Sequence, residues 1–231
     1  MAPAKGLVCA NEAATLRAVS PAPAPSPIEL PAADAPLAQI LATAWQLLAA
    51  GATDPAEALH WPVLATVSHT STPDARVVVL RAVEAAQREI EVHSDRRAGK
   101  LAQLAITPQA CVVGYDPTRQ IQLRLWGTTR VHQGDAPARA AWTRLGSASQ
   151  RSYLAPNTPG TAVDHPASNL PAQWATQLPS PEEAEPGFAQ FALIVLRIEA
   201  LEWLRLGRAG HQRARFEWPV DQPARATYLH P

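Results

Sequence analysis

The sequence predicts a mainly β protein, an antiparallel barrel or sandwich with a few flanking helices. Short runs rich in Val, Ile and Leu recur along residues 62–132, and turn residues separate them. Helical segments are few and do not alternate with strands, as they would in a parallel sheet. The chain has 231 residues, of which 47% are hydrophobic and 17% charged, so it can bury a substantial core.

The first 33 residues are rich in alanine and proline, and the run PAPAPSP at 21–27 is typical of an extended linker. We therefore predict a flexible tail over residues 1–33 and one domain over residues 34–231. The domain would begin with a helix that Asp34 caps and Gly51 ends, because the apolar residues between them recur at helical spacing.

Strands dominate the next part of the chain. The runs that predict short strands are 62–67, 76–83, 89–93 and 110–115. A helix is predicted from about residue 95 to residue 106. Residues 119–132 then alternate over a long stretch, which predicts a strand with two distinct faces. The apolar face carries Ile121, Leu123 and Leu125, and the opposite face carries Gln122, Arg124 and Trp126.

The C-terminal third predicts one helix, one loop and a final group of strands. Asp135 would begin the helix and Gly146 would end it. The Pro-rich stretch 157–185 has no clear period and predicts an irregular loop. Strands are predicted over 191–206, 212–218 and 227–230.

Charge and composition exclude several functions. Twenty basic residues balance twenty acidic ones, so the positive footprint of a nucleic-acid-binding protein is missing. No apolar run is long enough to cross a membrane, and the N-terminus lacks the apolar core of a signal peptide. Two cysteines a hundred residues apart indicate a reducing, cytoplasmic setting. The seven histidines are scattered without ligand spacing, so we predict no metal site.

Cationic residues cluster at two predicted strand ends. Arg76 and Arg81 bracket an apolar strand, and Ser94 precedes a helix start that carries Arg97 and Lys100. Cations at a helix N-terminus oppose the helix dipole unless an anion joins them. A bound phosphate would resolve that conflict, since backbone N–H groups, Ser94, Arg97 and Lys100 could all donate to it. The alternative is an ordinary solvated helix start.

A third group of cations lies near the C-terminus. His211, Arg213 and Arg215 alternate along a predicted strand and would share one face. Adjacent like charges destabilise a sheet, so either a bound anion or a charged, exposed edge strand would explain them. Gln122 on the long strand has a side-chain amide that could read the edge of a flat heterocycle.

These residues, taken in order, resemble one known family. The motifs are RVVVLR at 76–81, Ser94 through Lys100, QLRLWG at 122–127, Trp203, and His211-x-Arg213-x-Arg215. From about residue 55 to the C-terminus, their order and spacing are similar to the pyridoxamine 5′-phosphate oxidase-related family of FMN-binding split barrels, of which the chain resembles a divergent branch.

The resemblance implies a six-stranded antiparallel split β-barrel that forms a homodimer, with FMN in clefts between the subunits. It implies no catalytic acid–base side chain, because the flavin carries the chemistry. His211 and Arg213 would contact a small anionic substrate. The residues implied to bind the cofactor are Arg76, Val77, Val78, Val79, Leu80, Arg81, His93, Ser94, Arg97, Lys100, Gln122, Trp203 and Arg215.

Within that family, the resemblance implies an FMN-dependent oxidoreductase that transfers hydride between flavin N5 and its substrate. The alternative is a non-catalytic flavin- or haem-associated binding protein on the same barrel, because a fold does not determine a function. Two departures from the oxidase pattern bear on the site. Gly99 stands where the oxidase has an arginine, and His211 and Arg213 exchange the order of the substrate-binding arginine and histidine.

Overall fold

The computed structural model describes residues 28–208 and 210–231, and within them nine strands form one antiparallel sheet. This confirms the predicted fold class. The strands are β1 (Val63–Val67), β2 (Pro73–Val77), β3 (Leu80–Glu84), β4 (Glu89–Asp95), β5 (Gln109–Asp116), β6 (Ile121–His132), β7 (Phe191–Arg205), β8 (Gln212–Glu217) and β9 (Arg225–Leu229). The main path through the sheet runs β2-β1-β5-β6-β7-β4-β3, and β8 and β9 extend it from the far end of β7.

The two ends of this path are joined by covalent chain. β2 and β3 lie at opposite ends of the strand order, yet only Val78 and Val79 separate them in sequence. The sheet must therefore curl until its ends meet, and the Val78 N–H donates to the Pro62 carbonyl at 2.8 Å across the junction. The resulting open, curled sheet is a split barrel.

The prediction of a single strand over 76–83 was wrong. Arg76 lies on β2 and pairs with Leu64 of β1, whereas Arg81 lies on β3, at the point where the register of the β3–β4 pairing shifts. The apolar run that suggested one rigid segment is the crossing between the ends of the sheet. Val78 is buried there and Val77 is 60% exposed, so a run of β-branched residues did not by itself reveal the break.

Five α-helices accompany the sheet. They are α1 (Leu37–Thr53), α2 (Gly99–Ile106), α3 (Ala136–Thr143), α4 (Ser147–Gln150) and α5 (Pro181–Ala184). Asp135 caps α3 by accepting the Ala138 N–H, as predicted. The predicted start of α2 at Asp95 was early, because Asp95 ends β4 and its carbonyl accepts the Ala98 N–H in a turn.

The predicted limits of α1 also change. Pro36 rather than Asp34 occupies the N-cap, and its carbonyl accepts the Gln39 N–H at 2.9 Å. The helix continues through Gly51 to Thr53. Gly51 does not end the helix. It allows the helix to pack closely against Leu59, because a Cβ on Gly51 would lie 2.8 Å from the Leu59 carbonyl carbon. This glycine therefore brings the helix against the turn that follows it.

The prediction for the long strand is confirmed. Along β6 the side chains alternate between buried and partly exposed from Ile121 onward. The buried side faces the main core, where α1 packs against the interior of the curled sheet. A second, smaller core lies on the outer side of β7, where Phe191, Leu193 and Val195 pack against Trp142 of α3. The sheet thus has an interior face and an exterior face.

The N-terminal segment divides at the limit of the described residues. Residues 1–27 of the predicted tail lie outside the described part of the chain. Residues 28–33, which the prediction assigned to the tail, lie against the domain. The Arg205 guanidinium donates to the Pro31 carbonyl at 2.7 Å, and Gln212 donates to that of Ala32 at 2.9 Å. The stretch 157–185, predicted as an irregular loop, is irregular apart from one 3₁₀ turn at Ala172–Trp174 and the short helix α5 at its end.

Within the described ranges, no helix has both the length and the apolar character needed to cross a bilayer. The same part of the chain contains no group of three or more histidine, cysteine, aspartate or glutamate side chains arranged to hold a metal ion.

Candidate functional site

Three of the predicted phosphate-binding residues lie around the start of α2. The Lys100 ammonium donates to the Ser94 hydroxyl at 3.0 Å. Ser94 is buried at the end of β4. Arg76 reaches the same helix from β2, and its guanidinium donates to Gln103, one turn beyond Lys100, at 3.2 Å. Ser94 of β4 and Arg76 of β2 therefore both contact α2, at positions one turn apart.

Arg76 is held in place by several acceptors. Its guanidinium donates to the Leu64 carbonyl at 3.2 Å and to the Thr66 hydroxyl at 2.6 Å, and it forms an ion pair with Asp74. The side chain is 21% exposed. These contacts fix the orientation of the guanidinium, and a side chain whose rotamer is already ordered loses little entropy on binding a ligand.

The electrostatics at this position favour an anion. Burial lowers the pKa of Lys100, and the nearby positive charge of Arg76 lowers it further. The first turn of α2 contains no acidic residue that would complement the helix dipole. Space in front of the helix is open, since a Cβ on Gly99 would meet no atom within 4 Å. Lys100 at an uncovered helix N-terminus, with the charge of Arg76 nearby, therefore gives this position a positive character that suits an anion.

Arg97, the fourth predicted phosphate ligand, is engaged elsewhere. Its guanidinium binds both carboxylate oxygens of Asp95, at 2.9 and 2.6 Å, and donates to the carbonyls of Ala155 and Pro156 at 2.9 and 3.0 Å. The hydrogen bond to Asp95 raises the pKa of Arg97. Arg97 therefore ties the loop after α4 to the end of β4.

A cleft of about 450 Å³ opens beside the Ser94–Lys100 pair. Its other walls come from β4 and from the loop that Arg97 holds. The lining residues that matter for a ligand are His93, Ser94, Lys100, Tyr153 and Asn169. Tyr153 was not identified from the sequence, because no local pattern marks it. Burial raises the pKa of its hydroxyl, so Tyr153 remains a neutral donor.

His93 and Arg81 form the exterior wall of this region. The His93 ring lies edge-on to Phe191, with centroids 4.9 Å apart. Among the described residues, both ring nitrogens of His93 and the Nε of Arg81 are buried without a hydrogen-bond partner. Burial, followed by the charges of Arg81 and Arg144, lowers the pKa of His93 from 6.5 to about 3. The imidazole is therefore neutral near pH 7.

Replacing His93 by phenylalanine should stabilise the fold, increasingly so in acid. The folded pKa of His93 lies below the unfolded value, so the wild-type free energy of unfolding falls as pH drops from 6.5 towards 3. That loss reaches at most about 1.4 kcal/mol per pH unit. Phenylalanine removes this proton linkage and two unpaired nitrogens. Urea denaturation at several pH values measures the free energy of unfolding of both proteins. The control His69→Phe, at an exposed position, should not change the pH dependence of that free energy.

The predicted ligands Gln122, Arg213 and Arg215 lie on the exterior face of the sheet. Arg124 on β6, Glu202 on β7 and Arg215 on β8 are direct neighbours in register. The Glu202 carboxylate is only 3% exposed and has three guanidinium neighbours. They are Arg213 at 3.1 Å, Arg124 at 3.4 Å and Arg215 at 3.8 Å. We call these four side chains the basic cluster.

The basic cluster bears on the two explanations offered for the adjacent cations of β8, a bound anion or an exposed edge strand. The strand is not an edge, because it pairs with both β7 and β9. Glu202 supplies counter-charge from the neighbouring strand. The presence of Glu202 within the mostly apolar run 191–206 was a sequence signal that this carboxylate would need a cationic partner. Only the register of β6, β7 and β8 shows which arginines it contacts.

Two further predicted ligands occupy other positions. His211 precedes β8 and does not share the strand face of Arg213 and Arg215, and its Nδ1 accepts the Gly207 N–H at 3.2 Å. The Trp203 side chain is fully buried within the chain's own core, and its indole N–H donates to Gln212 at 3.2 Å. Its packing is explained without a cofactor. Gln122 lies on the exterior face, two residues before Arg124 on β6.

The two groups of site residues lie on opposite faces of the sheet. Arg76 pairs with the buried Leu64, and that row continues through Val112 to Leu125, all on the interior face. Side chains alternate between the two faces along β6, so Arg124, next to Leu125, lies on the exterior face. The Ser94–Lys100–Arg76 group and the basic cluster are therefore separated by the sheet.

Comparisons with known proteins agree with this geometry. Residues 42–133 match the sequence profile of the pyridoxamine 5′-phosphate oxidase FMN-binding domain. This segment contains Arg76, Ser94, Lys100 and Gln122. The chain is also 30% identical over 189 residues to a mycothiol acetyltransferase of Corynebacterium kroppenstedtii. That alignment covers 74% of the chain, which spans about half the length (49%) of this relative.

Solved structures share the fold. A pyridoxamine 5′-phosphate oxidase-related, FMN-binding protein of Nostoc punctiforme superimposes with a TM-score of 0.67 and 23% identity, covering 81% of this chain and 96% of that one. PhzG of Burkholderia lata, in complex with tetrahydrophenazine-1-carboxylic acid, gives a TM-score of 0.56 with 16% identity, covering 84% and 90%.

The matched domain also identifies the cofactor of the family, which is FMN, as predicted. The motif order, the matched segment and the split-barrel topology agree with one another. Residues 42–133 therefore match the FMN-binding domain of the pyridoxamine 5′-phosphate oxidase family, and the chain shares the split-barrel fold of an FMN-binding protein related to that family.

Proposed function

We propose that this protein is an FMN-dependent oxidoreductase that works as a homodimer on a small anionic substrate. The observation that carries the proposal is that two cations lie along the first turns of α2: Lys100 at its open start, oriented by the buried Ser94, and Arg76, which contacts Gln103 one turn further on. Such a donor set matches a phosphate monoester. FMN, when bound, supplies hydride transfer at its N5.

The chain's own residues would orient the cofactor. Lys100 and Arg76 would neutralise the phosphate. Ser94, whose hydroxyl donates to the Asp95 carbonyl at 3.1 Å, would orient Lys100 by accepting its hydrogen bond. The cleft beside them, about 450 Å³ in volume, gives the adjoining part of a ligand a place against His93 and Tyr153. The neutral Tyr153 hydroxyl is a donor there. Arg97 would act indirectly, by holding the loop that closes this cleft.

A homodimer would complete the site. The family is one in which homodimers are typical. In this chain an apolar strip on the exterior face runs through Val77, Val63 and Val113 and continues in register into Arg124. Val77 is 60% exposed, and the neighbouring Tyr115 is 46% exposed. A partner covering this strip would bring its phosphate-binding group towards Gln122 and Arg215 of the first chain.

The substrate side of the proposal rests on the basic cluster. Arg213 and Arg215 carry positive charge on the face where Gln122 would meet the flavin ring, so an anionic substrate is favoured there. No side chain is required as a general acid or base if the flavin accepts the hydride. We also propose a cytoplasmic location, on the sequence argument from the two distant cysteines.

Flavin titration tests the phosphate site. The wild-type protein should bind FMN, and the double variant Arg76→Ala/Lys100→Ala should bind it about a hundred-fold more weakly or worse, because two charge-assisted hydrogen bonds are lost. Arg139→Ala is the matched control, since that arginine pairs with the exposed Glu185 and does not line the cleft.

Two outcomes would separate the alternatives. Wild-type protein that takes up no FMN would refute the proposal. Protein that binds FMN but shows no flavin bleaching with any reductant amine or carboxylate, in the absence of oxygen, would instead be the non-catalytic binding protein.

A further inference from the structure

A carboxylate lies beside the arginine that we propose to bind the phosphate. Asp74 is on β2, two residues before Arg76, and forms an ion pair with the Arg76 guanidinium. Gln103 of α2 holds this pair together, because its side-chain amide donates to Asp74 at 2.9 Å and accepts from Arg76 at 3.2 Å. The hydrogen bond from Gln103 lowers the pKa of Asp74, so the carboxylate is ionised near pH 7. A negative side chain is thus built into a position that would receive a negative ligand.

The hydrogen bonds of Arg76 leave it little capacity for a further partner. A guanidinium has five N–H groups, two on each terminal nitrogen and one on Nε. One terminal nitrogen of Arg76 donates to the Leu64 carbonyl at 3.2 Å and to the Thr66 hydroxyl at 2.6 Å. The other terminal nitrogen contacts Gln103 and Asp74. Within the described part of the chain, only the Nε hydrogen has no partner.

A phosphate must therefore displace one of these partners before Arg76 can hold it firmly. Arginine binds phosphate most strongly through two parallel hydrogen bonds from two different nitrogens. At least one of the two is a terminal nitrogen, and both terminal nitrogens are already engaged. The hydroxyl of the buried Thr66 donates to Gln103 at 2.5 Å, which ties those two partners to each other. The Asp74 side chain is 48% exposed and can rotate into solvent, so it is the partner that can leave.

Asp74 also reduces the positive charge around Lys100. Burial, followed by the charge of Arg76, lowers the pKa of Lys100, whereas the carboxylates of Asp95 and Asp74 raise it. Asp95 is neutralised by its own ion pair with Arg97 at 2.6 Å. The two cations Arg76 and Lys100 and the one carboxylate of Asp74 then leave a net charge of +1, which would be +2 without Asp74.

We propose that Asp74 competes with the FMN phosphate for Arg76 and thereby limits how tightly the site holds phosphorylated ligands. The inference deepens the proposed function and rests on it, because it names the residue that sets phosphate affinity at the same site. A role in stability does not account for the ion pair. Such an exposed pair contributes little to folding, and Arg76 keeps three uncharged partners without Asp74.

Paired titrations with FMN and riboflavin test the inference, because riboflavin is the same flavin without the phosphate. Quenching of flavin fluorescence gives the Kd of each ligand for the full-length wild-type and Asp74→Asn proteins. Asp74→Asn should bind FMN about five-fold more tightly than wild type, because the competing charge is gone. Its Kd for riboflavin should be unchanged. The gain for FMN should shrink in about 1 M salt, which screens exposed charges but would not reverse a change in packing.

Three further variants make the test specific to the charge of Asp74. Asp74→Glu keeps the charge and should leave the ratio of FMN to riboflavin affinity near the wild-type value. Asp74→Ala removes both the charge and the hydrogen-bonding group. It should raise the ratio, and it serves if Asp74→Asn does not fold. Asp221→Asn, which removes an exposed carboxylate between β8 and β9, should change neither affinity.

The inference is overturned if the two neutral variants of Asp74 leave the ratio of FMN to riboflavin affinity unchanged or lower it. A lower ratio would show that Asp74 orients Arg76 for the phosphate instead of competing with it. Failure of the proposed function gives a different result. If wild type and both neutral variants bind FMN no more tightly than riboflavin, the phosphate site itself is refuted.

Discussion

Replacing Gly127 by alanine is expected to destabilise the domain by about 4 kcal/mol or more, enough to unfold a protein of ordinary stability. A Cβ on Gly127 would lie 1.9 Å from the Arg197 carbonyl oxygen and 2.8 Å from its carbonyl carbon. These are backbone atoms of the neighbouring strand and cannot rotate away. The substitution must therefore separate β6 from β7 at the point where their register shifts between Trp126 and Gly127.

The position of this contact explains the size of the effect. β6 and β7 form the longest pairing in the sheet, and β7 also connects β4 and β8 to it. Moving the two strands apart would disturb the interior core and the basic cluster together.

Two other glycines are matched controls for urea denaturation. A Cβ on Gly114 would meet the end of the Leu59 side chain at 2.6 Å, and that side chain can move, so Gly114→Ala should cost less. A Cβ on Gly99 would meet nothing within 4 Å, so Gly99→Ala should be neutral or slightly stabilising. Equal stability of the Gly127 and Gly99 variants would contradict the packing at this bulge.

Mixing two inactive variants is expected to restore flavin binding. If the phosphate is held by Lys100 of one chain and the ring by Arg215 of its partner, Lys100→Met and Arg215→Met homodimers each have two damaged sites. A mixed dimer has one site with both side chains intact and one with neither. FMN content should therefore rise from near zero in each parent to about one FMN per mixed dimer, because loss of either charged contact costs roughly 100-fold in affinity.

The control uses two variants from the same half of the site. Arg76→Ala and Lys100→Met lie on the same face and contact the same helix. In their mixed dimer every site would still lack one of the two cations proposed to bind the phosphate, so the FMN content should stay near zero. Gln122→Ala can replace Arg215→Met if removing that arginine unfolds the cluster around Glu202. Absence of recovery in the first mixture, with both variants folded and dimeric, would show that each chain binds flavin alone.

Much of the fold could be predicted from local signals. The alternation along β6 follows directly from the two-residue period of a strand, and Asp135 was identifiable as a helix cap from its chemistry. Ser94 and Lys100, grouped at one helix start from the sequence, lie within hydrogen-bonding distance because only a turn separates their strand from their helix. These inferences succeeded because the groups involved are close in sequence.

Other features depended on contacts that no local pattern carries. Residues 76–83 look like one strand, yet the curl of the sheet places their two halves at opposite ends of the strand order. Arg97 was expected to bind an anion but instead meets carbonyls 58 and 59 residues away. Trp203 was expected to contact a cofactor, and its burial depends on how α1 and the sheet enclose the core.

The amino-acid sequence by itself determined the β-rich class, the two faces of the long strand and the clusters of positive charge, because each follows from periodicity or from residue type. Only the tertiary structure decided that the Ser94–Lys100–Arg76 group and the basic cluster lie on opposite faces of the sheet. It also decided that Glu202 neutralises arginines up to 78 residues away. The physical reason is strand register, which sets cross-strand neighbours and which a chain acquires only when distant segments pair.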